Sequence, residues 1–175
     1  MNIALENLSQ YIEQFLLLLS QKERFVIQRR FNLDNKNRAT LEEIGQHFSV
    51  TRERIRQIEK NALNKLRRNL ENTPLKQISE ASYKILEEAG GIMREDLMLA
   101  KLINLKSGFS AESLQLILSI DKRFERLPNT VNFHPFVKFT QFEDKFLNSL
   151  ASASQSLVKK NKELFKITDL LDQLV

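Results

Sequence analysis

Residues 52–57 read RERIRQ, which places Arg52, Glu53, Arg56 and Gln57 within two turns of one another if the stretch is helical. These side chains cover the hydrogen bonding needed at base edges. Arginine forks onto guanine, glutamine pairs with adenine, and a carboxylate accepts from the cytosine amine. Arg54, Lys60 and Lys65 lie on the same segment and suit phosphate oxygens. Residues 51–68 hold seven basic and two acidic side chains, a net +5. The whole chain is also +5, so the remainder is neutral. A basic excess confined to one segment is the pattern of a phosphate-contacting face. A solvated helix with Glu–Lys pairs is the competing reading of the charge alone.

The elements around this segment must present it. Thr40 followed by Glu43 is a capping box, so a helix is expected from Leu41, with Leu41, Ile44 and Phe48 on its buried face. Ser49 breaks that pattern, and Thr51 is a second N-cap candidate. From Arg52 onward, Ile55, Ile58, Ala62, Leu63, Leu66 and Leu70 recur at helical spacing. Two helices joined by a turn of about three or four residues form a helix-turn-helix. In that arrangement the start of the second helix faces base edges.

The run LSQKERFVIQRRFNLDNKNRATLEEIGQHFSVTRERIRQIEKNALNKLRR resembles region 4 of the bacterial sigma-70 family of transcription initiation factors, over about residues 5–70. TLEEIG…VTRERIRQIE is the specific part of the match. The resemblance implies binding to a −35 promoter element and docking on the β flap of RNA polymerase. By position, it assigns Arg52, Glu53, Arg56 and Gln57 to the −35 bases, and Lys22, Arg30 and Thr40 to the DNA backbone. Arg54, Lys60 and Lys65 are added as backbone contacts on chemistry alone. Leu17, Phe25, Val26 and Phe31 fall in the helices that, in the family, help form the flap-binding cavity. Each of the four also has a plain core reading.

The run departs from the family in places. Asn32 and Asn35 stand where glycine is common, and asparagine tolerates positive φ. Ser49 replaces a frequent glycine at the corner of the helix-turn-helix. No aromatic-rich promoter-melting region precedes the run, so the chain is expected to be less than a complete initiation factor.

Beyond residue 70 the pattern changes. Residues 71–74, ending in Pro74, read as a linker. Leu75, Ile78, Ala81, Ile85 and Leu86 form a helical stripe up to Gly90-Gly91. A second helix is expected through Leu97, Ala100, Leu102 and Ile103, and a third capped by Ser110. Residues 121–139 lose helical spacing. Phe124, Val131, Phe133, Phe136, Val137 and Phe139, interrupted by Pro128 and Pro135, predict short edge strands. The segment KQISEASYKILEEAGGIMREDLMLAKLI resembles winged helices of the RNA polymerase delta subunit and HARE-HTH type, over about residues 75–140. The third helix carries no arginine, so this unit reads first as an interaction or spacing module. It reads second as a weak DNA clamp through Lys122 and Arg123. Thr140 with Glu143 suggests another capping box, followed by a stripe of Phe142, Phe146, Leu150, Ala153 and Leu157. The basic run Lys159–Lys162 suits the C-terminal end of that helix. A last helix is expected from Thr168, with Leu170, Leu171 and Leu174 on one side. It resembles the opening of a further winged helix, as in a piece of a longer protein.

The expected fold is mainly α. Residues 1–70 form a region 4-like helix-turn-helix bundle, 71–74 a linker, 75–140 a winged-helix-like domain with a small β-hairpin, and 141–175 C-terminal helices. The expected function is sequence-specific DNA binding in transcription. Double-stranded DNA and the polymerase β flap are the expected partners, without cofactor, metal or enzyme activity. The alternative is a polymerase-binding protein that docks on the flap without its own sequence readout. Cysteine is absent, which excludes disulfides and Cys-based zinc sites. His47 reads as a surface residue and His134 as a turn residue before proline. The N-terminus lacks a basic n-region, and Phe15–Leu19 is far short of the ~20 apolar residues of a membrane span. These features point to the cytoplasm. Oligomeric state is left open.

Overall fold

The computed structural model describes residues 8–105, 110–131 and 133–160. The expected terminal helix from Thr168 lies outside them, as do the side chains of Phe146 and Leu150 on the expected C-terminal stripe. Helix α1 (Leu8–Leu16) buries Leu8, Ile12, Phe15 and Leu16. Helix α2 (Gln21–Phe31) starts at Ser20, whose capping box with Glu23 satisfies two end amides, and stops at Asn32 in the left-handed region (φ 55°). Asn35 also has positive φ (54°), the conformation for which asparagine substitutes acceptably for glycine.

Helix α3 (Leu41–His47) begins with the Thr40–Glu43 capping box. Helix α4 (Arg52–Asn69) begins at Thr51, whose side chain accepts from the Arg54 amide at 3.2 Å. The corner between them needs Ser49 at φ 54° and a close approach at Gly45. A Cβ on Gly45 would sit 2.7 Å from the Val50 carbonyl oxygen. The Val50 amide donates to the Gly45 carbonyl at 2.9 Å, which locks the turn.

The apolar stripe of α4 is shared between two cores. Ile55 and Ile58 meet Val26, Ala39 and Ile44 in a small cluster inside the helix-turn-helix. Ala62 and Leu66 join a larger cluster that runs from α1 and α2 into the second half of the chain. Leu70 and Leu75, on either side of the mostly exposed residues 71–74, belong to this larger core. Leu70 to Asn72 make one 3-10 turn, and both Leu70 and Leu75 are buried.

The second half runs α5 (Lys76–Glu88), β1 (Ile92–Arg94), α6 (Glu95–Leu105), α7 (Ala111–Ile120), β2 (Phe124–Leu127), β3 (Phe136–Phe139) and α8 (Asp144–Lys160). Gly90 and Gly91, at φ 78° and 90°, end α5 and turn the chain into β1. Among the described residues the strands form one antiparallel sheet in the order β1-β3-β2, with Met93 and Arg126 both opposite Val137.

Three local expectations are corrected. Strand β1 leaves no mark in the sequence, because three residues are too few to show a period of two. Val131 and Phe133 are not strand residues. They lie in the connection between Pro128 and Pro135, where neither N–H-less proline can continue a ladder. Thr140 does not cap a helix, because α8 starts four residues later at Asp144. Its hydroxyl donates instead to the Lys122 carbonyl at 2.5 Å, while Asp144 pairs with the buried Lys138 at 3.0 Å. Lys138 keeps its charge although burial opposes it, because hydrogen bonds to Glu125 and Asp144 outweigh desolvation and raise its pKa.

Candidate nucleic-acid interface

Burial of Ile55 and Ile58 fixes the rotation of α4. Arg52, Glu53, Arg54, Arg56, Gln57 and Lys60 are consequently all exposed. Glu53 is the centre of this face. Arg56 donates to both of its oxygens, Nε at 2.8 Å and Nη2 at 2.7 Å, and the Gln57 amide approaches Oε1 at 3.4 Å. Arg54 Nη1 in turn reaches the Gln57 Oε1 at 3.4 Å. The hydrogen bond from Arg56 holds the Glu53 carboxyl below its ordinary pKa, so it stays an acceptor across the neutral range. Four of the side chains suited to bases and phosphates thus form one connected, solvent-facing array at the start of the helix.

The other expected DNA contacts divide. Thr40 is exposed at the start of α3, and Lys22 is exposed on the first turn of α2, with its ammonium 4.6 Å from the centre of the Phe48 ring. Arg30 and Lys65 have partners inside the protein. Arg30 is half-buried, donates to Glu59 at 3.1 Å and to the Ala39 carbonyl at 3.0 Å, and so ties α2 to α4 and to the loop before α3. Lys65 pairs with Glu23 at 2.7 Å. Burial would raise the Glu23 carboxyl, but hydrogen bonds from Lys65 and Ser20 outweigh it and lower the pKa.

The four residues considered for a polymerase cavity do not share one surface. Val26 is fully buried in the small core and Phe31 is buried in the large one. Leu17 is 63% exposed, next to the exposed Leu18. Phe25 is half-buried, stacked on His47 with ring centres 4.8 Å apart and the planes 9° from parallel. It lines an open cleft of about 440 Å³ with Arg29, Ala39, Ile44 and His47.

In the second half, Arg123 is not a free clamp residue. Its guanidinium binds both oxygens of Asp121, reaches Glu80 at 2.8 Å, and lies over the Tyr83 ring. Lys122 is exposed. The residue that charge counting most misplaced is Arg67, whose three guanidinium nitrogens all donate within the protein. No local pattern marks it, since two of its acceptors are main-chain carbonyls more than fifty residues away. Among the described residues no group of three His, Asp or Glu could hold a metal ion, and no helix is long and apolar enough to cross a membrane.

A capped helix, a tight corner and an exposed polar array on the second helix define a helix-turn-helix DNA-binding domain. Residues 15–68 match the family described as sigma-70, region 4. The chain is 54% identical over 66 residues to the RNA polymerase sigma factor SigA of Nostoc sp., which covers 38% of this chain and 17% of that relative. It is 51% identical over 75 residues to SigA1 of Synechococcus elongatus, 43% of this chain and 19% of the relative. With SigA of Listeria monocytogenes it is 47% identical over 77 residues, 44% and 21% of the two lengths. The chain therefore spans about a fifth of the length of these relatives.

Proposed function

We propose that this chain selects promoter sites in transcription, reading a −35-type element with the first two turns of α4 and working beside RNA polymerase. The exposed array of Arg52, Glu53, Arg54, Arg56 and Gln57 carries the reading. Such side chains at the start of the second helix of a helix-turn-helix are placed for the major groove. Thr40 and Lys22, exposed at the starts of α3 and α2, serve the flanking phosphates, and Lys60 serves those along α4. The relatives that share this region are sigma factors of RNA polymerase, which supports polymerase as the partner. The element order helix, strand, two helices and two strands supports a winged-helix reading for the second half. The proposal concerns site selection and assigns no step of DNA opening to these residues. It places the protein in the cytoplasm. Selection from random duplexes tests it: enrichment of one short motif is expected, and recovery of unrelated sequences overturns it.

A second reading makes the sigma-like domain a holder of the polymerase β flap without sequence readout. The exposed Leu17 and Leu18 and the cleft at Phe25 favour it. Retention of polymerase by a variant carrying Arg52→Ala and Arg56→Ala, with no enriched motif for the wild type, would select this reading.

A further inference from the structure

Helix α7 occupies the place where a winged helix ordinarily keeps its reading helix, yet here it is almost wholly interior. Ser113, Leu114, Leu116, Ile117, Leu118 and Ile120 are buried. The helix packs against both α2 and α4.

Its C-terminal end is held from outside. The last carbonyls of a helix have no partner within it and carry the negative end of the dipole. Arg67 of α4 supplies both a positive charge and donors there. Nε donates to the Ile120 carbonyl at 2.6 Å and Nη2 to the Ser119 carbonyl at 3.3 Å, while Nη1 is held by Asn64 at 2.7 Å. The next residue, Asp121, is bound by Ser79 of α5 and by Arg123. Thr140, following β3, donates its amide to the Arg123 carbonyl at 3.0 Å. The end of α7 is thus a junction where α4, α5 and the sheet meet.

We infer that Arg67 is a positioning residue for DNA reading: through it the second half of the chain braces the reading helix, and α7 is spent on that brace rather than on DNA. The inference rests on the reading of α4 proposed above. Arg67 lies fifteen residues after Arg52, roughly 22 Å along the helix, so it acts at the far end. Its forked geometry matters because two carbonyls and a side-chain oxygen are met at once, which an ammonium on a flexible stem does not reproduce.

Two full-length variants, Arg67→Ala and Arg67→Lys, test this with hydrogen exchange and with duplex binding across a salt series. Both are expected to speed exchange several-fold at the amides of Ile120 and Asp121. Both are expected to lower the ratio of selected to scrambled duplex binding several-fold, with the salt slope of the wild type retained. A salt slope reduced by about one in Arg67→Ala, with Arg67→Lys like the wild type, would make Arg67 a phosphate contact and overturn the inference. Faster exchange with an unchanged binding ratio would leave a purely structural clamp and overturn it too. If the wild type itself shows no sequence preference, the earlier reading fails. The exchange arm then still decides whether Arg67 holds α7.

Discussion

Glu53 and Arg56 face each other one helical turn apart on the exposed side of α4, joined by two hydrogen bonds of 2.7 and 2.8 Å. The pair fixes the guanidinium and carboxylate relative to each other, and both groups remain open to solvent. Arg56→Ala is expected to weaken the selected duplex roughly ten- to a hundredfold and to relax the sequence preference at one position. Lys60→Ala should instead weaken all duplexes alike and reduce the salt slope by about one. Binding isotherms for matched and mutated duplexes across salt separate the two effects.

Lys65 belongs to the basic stretch, but its ammonium is occupied by Glu23 on α2. Lys65→Ala should therefore leave the salt slope of DNA binding unchanged. The lost pair is half exposed on the lysine side, so the stability cost should stay below about 1 kcal/mol. Denaturant unfolding beside the same isotherms checks both halves.

Gly45→Ala should destabilise the helix-turn-helix. The added Cβ would approach the Val50 carbonyl at 2.7 Å, and that contact is to backbone, which cannot swing away as a side-chain tip can. A loss of about 1–3 kcal/mol is expected, read as a lowered unfolding midpoint with a matching fall in DNA affinity at higher temperature.

Acid should loosen the junctions around α2 and α7. Burial would raise the Glu23 and Asp121 carboxyls, but hydrogen bonds outweigh it. Those of Glu23 come from Lys65 and Ser20, those of Asp121 from Arg123 and Ser79. Both therefore titrate below their ordinary values of 4.5 and 3.8. As pH falls the unfolded chain binds protons first. The stability these groups contribute is full at neutral pH, starts to drop near pH 4.5 and declines further as the native carboxyls protonate. Asp121→Asn and Glu23→Gln should each flatten the profile of unfolding midpoint against pH between about pH 5 and pH 3.

Much of the helix-turn-helix was legible because its signals are local. Thr40 with Glu43 caps α3 within four residues, Thr51 caps α4, and the 3–4 spacing of Ile55 and Ile58 sets which side of α4 faces out. Asn32 and Asn35 carry the positive φ that their type permits. Long-range facts had no such signal. Arg30 and Lys65 look like surface cations until Glu59 and Glu23 are brought beside them. Val26 and Phe31 cannot be told from cavity residues by hydrophobicity, since a buried face and a binding face have the same composition.

By itself the sequence determined α3 and α4, their caps at Thr40 and Thr51, the corner between them and the identity of the side chains on α4. These depend on interactions within a few residues, which spacing records. Only the tertiary structure decided which cations remain free. The +5 of residues 51–68 is one sum in the sequence, but the fold divides it. At the start of α4 the basic side chains face solvent, while Lys65 and Arg67 are turned toward α2 and α7. Whether a charge faces solvent or a neighbouring helix is set by what packing places within hydrogen-bond reach, and Glu23 and the Ile120 carbonyl lie tens of residues away along the chain.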